Sequence, residues 1–144
     1  PTSQNIKGLE EEVSNAMDEC DDKRRSAQFA KVAQDMIDKA SARREELILE
    51  VKEGKITPQA AIHENDTKLN PQFRQAEEKA HQGTGLDRRN DDAWLQYCRA
   101  GYYLAANKGD FEKTLARINQ AQSACPQSTK FVLLKQLVKK DGKL

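Results

Sequence analysis

The chain has 144 residues, the size of one domain, and its composition is polar: 33% of the residues are charged and 37% are hydrophobic. The 24 basic and 23 acidic side chains leave a formal net charge of only +1. Because nucleic-acid binding draws on an excess of Lys and Arg, this balance argues against a nucleic-acid partner. The apolar runs are short, such as the four residues of 131–134. A membrane-spanning helix needs roughly 18 apolar residues, so we expect no membrane span.

The chain begins with PTSQN and not with methionine. Methionine excision, removal of a signal or lipoprotein leader, and trimming of a longer chain all account for this start. We expect residues 1–5 to be flexible. A polar start would suit a tether behind a lipid-anchored cysteine, which favours a periplasmic or cell-envelope location over a cytoplasmic one.

A long helical segment is predicted over 6–53. Two apolar stripes run along it, and Gly54 is a suitable residue to end it. Nine residues separate Cys20 from Phe29, so the two stripes are about half a turn out of phase. Either the helix breaks near 21–25, or one long helix packs on different partners along its length. The first stripe is Leu9, Val13, Ala16 and Cys20; the second is Phe29, Ala33, Met36, Ala40, Leu47 and Val51.

Two short capped helices are predicted over 54–82. Thr57 and Pro58 match an N-cap followed by proline at the first helical position, and Asn70 and Pro71 repeat the pattern. We therefore expect one helix near 58–69 and another near 71–82, with Gly83 ending the second. Residues 83–92 are polar and rich in glycine and aspartate, which predicts a loop.

A helical hairpin and a final helix are predicted over 90–140. The first helix of the hairpin runs to about Ala106, residues 107–110 form a turn, and the second reaches Ala124 before Pro126. Ser128 is the predicted cap of the final helix. Since no segment alternates polar and apolar residues as a strand does, we predict a single all-α domain over 1–144.

The hairpin resembles a tetratricopeptide repeat over about 94–126. Its second helix has the turn glycine, small and large residues at helical spacing, and the closing proline. Thr114 and Ile118 depart from the family, which usually has alanine and an aromatic residue there. The first helix fits only if the turn carries one extra residue. A generic helical hairpin explains the same spacing. The matching positions are Tyr97, Ala100, Gly101, Leu104, Gly109, Phe111, Thr114, Ile118, Ala121 and Pro126.

The hairpin also brings two of the three cysteines together. In an antiparallel pair, the start of the first helix lies beside the end of the second, so Cys98 and Cys125 are candidates for a disulfide. A bond between them would indicate an oxidising compartment. The alternative is two buried free thiols. Cys20, on the first stripe, is predicted to be a core residue.

The sequence offers no catalytic constellation. His63 and His81 are the only histidines, neither lies in a HExxH motif, and no CxxC or phosphate-binding glycine motif occurs. We therefore predict no enzyme, no metal site and no cofactor. An exposed tyrosine beside a helical groove is a good anchor for a protein partner, and Tyr102 and Tyr103 are the candidates.

These features favour a non-catalytic adaptor or scaffold that binds another protein, in a bacterial envelope or secretion setting. The alternative is a structural homo-oligomer, such as a homodimer, in which the stripe over 9–20 pairs with its copy in a short coiled coil. An enzyme of unknown class is the third and least favoured hypothesis.

Overall fold

The computed structural model describes residues 2–106 and 108–142, with side chains from residue 6 onward. Over those residues it consists of helices joined by short turns and loops and contains no strand, which confirms the predicted all-α fold. A π-helical turn, Asn65–Leu69, joins the second helix to the third. The helices are α1 (Thr2–Lys52), α2 (Pro58–Glu64), α3 (Asn70–Leu86), α4 (Asp91–Ala105), α5 (Phe111–Ala124) and α6 (Val132–Gly142).

Of the two possibilities left open by the sequence, the structure has the single long helix, α1, with no break near 21–25. It begins at Thr2, earlier than the predicted start near residue 6, and Pro1 lies outside the described residues. At the other end, Gly54 has φ +72, its N–H bonds to the Val51 carbonyl, and the Lys55 N–H bonds to the Glu50 carbonyl. This pair of bonds is a Schellman motif, so Gly54 ends α1 as predicted.

The prediction that Asn70 caps a separate helix is wrong. Asn70 has helical φ −57 and ψ −43, and the chain passes through the π turn into α3 without a break. Pro71 lacks an N–H and disrupts an α-helical ladder, and the wider turn before it absorbs this. The Thr67 hydroxyl also donates to the His63 carbonyl at 2.7 Å. Thr57, by contrast, caps α2 as predicted and accepts from the Ala60 N–H.

Gly83 was predicted to end a helix, and this is also wrong, because α3 continues to Leu86. Gly83 is buried where α3 meets α1 and α4: an added Cβ would lie 3.1 Å from the Ala93 Cβ and 3.2 Å from the Ser26 carbonyl oxygen. Glycine is therefore required by close packing and not by a turn. The predicted loop over 83–92 shrinks to residues 87–90.

A buried hydroxyl ties this junction together. Ser26 is fully buried, and its Oγ donates to the Gly83 carbonyl at 2.7 Å. The same Oγ accepts from the Asn90 side-chain amide at 2.9 Å. The Asn90 Oδ1 in turn caps α4 by accepting from the N–H groups of Asp92 and Ala93. One serine thus connects α1, the end of α3 and the start of α4.

Two apolar clusters form the core. The first lies between α1, α3 and α4 and includes Ile37 and Phe73; the second lies between α4, α5 and α6 and includes Trp94 and Phe131. The predicted packing face of α5 is confirmed as buried: it is Phe111, Thr114, Ile118 and Ala121. Final helix α6 begins at Val132, and the predicted cap Ser128 instead accepts from the Lys130 N–H before it.

An arginine on α5 connects the two halves of the core. The Arg117 guanidinium lies 3.8 Å from the Tyr97 ring centroid and donates to the Glu77 carboxylate at 2.8 Å. A Cβ on Gly101 would lie 2.8 Å from Arg117 Nη1. The glycine of the repeat-like pattern therefore leaves room for this guanidinium to cross α4.

We predict that Ser26→Ala lowers the free energy of unfolding by about 1–3 kcal/mol, because the Gly83 carbonyl and the Asn90 amide lose a buried partner. Ser14→Ala, on the exposed part of the same helix, is the matched control, since the gain in helix propensity is the same. Urea unfolding measures both. Equal effects from the two substitutions would contradict the role of Ser26.

A second, partly exposed ion-pair cluster joins α1 to α2. Arg43 donates to both carboxylate oxygens of Glu64, at 2.6 and 3.0 Å, and Nη1 also binds Glu46 and Glu50. These hydrogen bonds hold the pKa of Glu64 below its ordinary value. A carboxylate with a depressed pKa stabilises the fold above its unfolded-state pKa, and this contribution is lost as the pH falls through the folded-state value.

We therefore predict that Arg43→Met lowers the free energy of unfolding near pH 7, because Glu64 loses both of its hydrogen bonds from the guanidinium. The difference from the parent chain should shrink as the pH falls through the depressed pKa of Glu64. Lys31→Met, which removes an exposed pair with Asp35, is the control and should have little effect. Denaturant unfolding across the acid range measures this, and a difference that persists at acid pH would contradict it.

Candidate interaction surfaces

The two cysteines of the predicted disulfide, Cys98 and Cys125, are both buried in the same core cluster, and the structure holds no bond between them. Burial raises the pKa of the Cys98 thiol to about 12. The pKa of Cys125 is also raised, by burial and by Asp91 and Asp87. Placement in one cluster agrees with an antiparallel hairpin, and the bond itself stays a prediction. Cys20 is exposed, so its prediction as a core residue is wrong.

The two candidate tyrosines are half-buried and have partners within the chain. The Tyr102 hydroxyl donates to Asp141 on α6, and its ring lies 5.9 Å from that of Phe111. The Tyr103 ring stacks on Phe73 with centroids 4.9 Å apart. These contacts give both side chains a structural role, and their use as partner anchors stays a prediction.

His63 and His81 are exposed, and the His81 ring lies 4.9 Å from the Tyr97 ring. Among the described residues, no group of three or more His, Cys, Asp or Glu side chains is placed to hold a metal ion.

A row of uncovered apolar side chains lies at the start of α1. We call residues 6–25 the arm: all of them are exposed except the half-buried Asp22, and the first buried residue is Ser26. The large apolar side chains of the arm are between 56% (Ile6) and 65% (Met17) exposed. They form one face, which we call the arm stripe and which consists of Ile6, Leu9, Val13, Ala16, Met17 and Cys20.

The opposite face of the arm is polar and is turned toward the rest of the chain. A cleft of about 690 Å³ separates it from the loop after α3. Carboxylates of Asp18 and Asp22 line one side of this cleft, and Arg88 and Arg89 line the other. We call the described residues from Ser26 onward the body. The arm stripe therefore points away from the body.

Two smaller apolar surfaces lie elsewhere. A groove of about 460 Å³ between α1 and α2 has Ile48 and Ile62, both exposed, in its walls. The half-buried Arg44 at this groove binds three neutral oxygens, of Asn65, Asn70 and the Tyr103 carbonyl. On α6, Leu133 is 74% exposed and Leu137 is 46% exposed.

Comparison of the chain with protein-family models, with curated proteins and with solved structures gives no match. The resemblance of 94–126 to a tetratricopeptide repeat therefore stays a prediction. In the part of the chain that the structure describes, none of the helices is long and apolar enough to cross a membrane.

Sequence reasoning found four residues of the arm stripe but missed Ile6 and Met17, and it assigned Cys20 to the core. Periodicity shows which residues share a face and not whether another element covers that face. The signal that separates the two stripes is the half-turn phase change between Cys20 and Phe29. On one continuous helix, such a change places the two stripes on opposite sides.

We predict that the three thiols differ sharply in reactivity. At pH 8, Cys20 should react with a soluble aromatic disulfide reagent as a free thiol does. Because the pKa of Cys98 is about 12, on the order of one Cys98 side chain in ten thousand is a thiolate at pH 8. Cys98 should therefore react only on unfolding. Alkylation in urea without prior reduction should modify all three. A single modified cysteine would instead support the Cys98–Cys125 disulfide.

Proposed function

We propose that the chain is a non-catalytic protein-interaction module, an adaptor or scaffold, and that the arm is the surface that binds another polypeptide. The supporting observation is the exposure of the arm stripe. Monomeric proteins rarely leave a contiguous row of large apolar side chains in water, and such rows commonly mark interaction sites. The body, by contrast, buries its own apolar stripe along α1.

The physics of an isolated helix supports the same proposal. The arm extends about 30 Å from residue 6 to Ser26 at 1.5 Å per residue. A single helix of about 20 residues is marginal in water unless its apolar face is packed against something, and Gly8 weakens it further. A partner that covers the arm stripe supplies the missing packing. When an amphipathic helix binds in the groove of a partner, it uses apolar residues at three- and four-residue spacing in this way.

The arm is a better candidate than the α4–α5 hairpin on which Tyr102 and Tyr103 lie. Both tyrosines already contact residues of their own chain, whereas the large side chains of the arm stripe are more than half exposed. A bacterial envelope or secretion setting remains part of the proposal, and a Cys98–Cys125 disulfide would support it. A homo-oligomeric role, the alternative function, would use the same arm.

Site-specific photocrosslinking in the cells that make the protein tests this proposal. A benzophenone amino acid in place of Met17, on the arm stripe, should give a discrete covalent adduct with a second polypeptide. The same group in place of Glu11, on the opposite face, is the matched control and should give little. Leu9→Lys should abolish the adduct at position 17 because it places a charge in the apolar contact. Equal crosslinking from both faces, or none from position 17, would refute the proposal.

A further inference from the structure

The spacing of the arm stripe is that of a coiled-coil seam. Ile6, Leu9, Val13, Ala16 and Cys20 follow one another at intervals of three, four, three and four residues. A three-residue step leads from an a position to a d position, so this spacing has one heptad assignment. Ile6, Val13 and Cys20 occupy a, and Leu9 and Ala16 occupy d. The next d position holds Lys23, which ends the seam.

The residue types at these positions favour a parallel pair of helices. β-Branched residues at a combined with leucine at d select a parallel dimer over trimers and tetramers. Here the first two a positions are Ile6 and Val13, and the first d position is Leu9. The small Ala16 and Cys20 near the end of the seam allow the two helices to approach closely.

The charges that flank the seam distinguish parallel from antiparallel pairing. In a parallel dimer, each g residue faces the e residue five positions further along the other chain, which places Glu19 beside Arg24. In an antiparallel dimer, g faces g, which places Glu12 beside Glu19 twice. Glu19 and Arg24 also pair within their own chain, with Lys23 and Asp21. Such exposed pairs are weak, so the same side chains can pair across the seam at little cost.

The seam and the buried face of α1 lie on opposite sides of the helix, so two paired copies would not collide. Val13 lies in the seam, and Ala33, which is fully buried, faces the body. Twenty residues separate them, which is about five and a half helical turns, so they point in opposite directions. Two copies joined along their arm stripes would therefore carry their bodies on the outside.

We propose that the occupant of the arm stripe is a second copy of this chain, paired in parallel and in register, with the two Cys20 side chains facing each other across the seam. This inference rests on the proposed function, in which the arm is the binding surface. The seam is about two and a half heptads long, so the dimer is weak and forms only at high protein concentration.

Sedimentation velocity of the reduced full chain over a wide concentration range tests the association. The expected result is a monomer–dimer equilibrium. Val13→Lys, in the seam, should weaken dimerisation by about tenfold or more, since a buried valine contributes roughly 1.5 kcal/mol or more. Ser14→Lys adds the same charge outside the seam and should leave dimerisation nearly unchanged. An unchanged unfolding midpoint of the body shows that each variant is folded. A parent chain that stays monomeric at every concentration would overturn the inference.

Oxidative crosslinking tests the orientation. Diamide, which takes up the two thiol hydrogens as a disulfide forms, should join two chains through Cys20. The bond should disappear in Cys20→Ser, because Cys98 and Cys125 are buried. For an antiparallel pair, Leu9→Cys/Cys20→Ser mixed with the parent chain should crosslink position 9 to Cys20 of the other chain. We expect homodimers of the parent chain and not this mixed product; the mixed product in place of them would overturn the parallel register.

The charge pair gives a further test of register. Glu19→Lys should weaken the dimer a few-fold by placing like charges beside Arg24, and adding Arg24→Glu should restore it. A double variant as weak as the single one would contradict a parallel pairing of these two positions.

The photocrosslinking result separates this inference from the proposed function. An adduct at position 17 with twice the 16.3 kDa chain mass supports both. An adduct of another mass, together with a monomeric chain in sedimentation, keeps the arm as a binding surface and rejects the second copy as its occupant. No adduct at all rejects both.

Discussion

The hydroxyl of Ser26 donates to the Gly83 carbonyl and accepts from the Asn90 amide, and these two hydrogen bonds join the three helices that form the first core cluster. This junction holds α1 against the end of α3 and against the cap of α4. Because Gly83 has no side chain, the three helices approach more closely there than an alanine would allow. Ser26 is also the first buried residue of α1. The junction therefore marks where the domain begins along the helix.

This position divides one helix into two parts with different environments. From Ser26 onward, α1 buries its apolar stripe against α3 and α4 and is stabilised by tertiary packing. Before Ser26, the helix has an apolar face with nothing of its own chain upon it, and a polar face toward the loop after α3. A helix continued past its own core in this way offers its uncovered face for assembly. The phase change near residues 21–25 directs that face away from the body.

The sequence was sufficient to predict the all-α fold, the cap at Thr57, the end of α1 at Gly54 and the buried face of α5. Each depends on local signals: a capping hydroxyl, a glycine with positive φ, or a helical spacing of apolar residues. The errors at Asn70 and Gly83 have one cause. Proline and glycine were interpreted as helix boundaries, but tertiary packing carries the helix through both, by a π turn at one and a close helix contact at the other.

The candidate surface was predictable only in part. Spacing alone identified the row that contains Val13 and Cys20, and it suggested pairing with a copy. Whether another helix of the same chain covers that row is a long-range property that spacing does not contain. The same limit applies to Tyr102 and Tyr103, whose contacts with Asp141 and Phe73 join residues far apart in the chain.

Amide hydrogen exchange along α1, measured as a function of protein concentration, tests the central claim most directly. Residues 27–52 should exchange slowly at every concentration, because they belong to the body. Residues 6–25 should exchange quickly in dilute protein and become protected as the concentration rises, and Val13→Lys should remove that protection. Protection of 6–25 that is equally strong in dilute protein, or absent at the highest concentration, would contradict an arm that is ordered by a second copy of the chain.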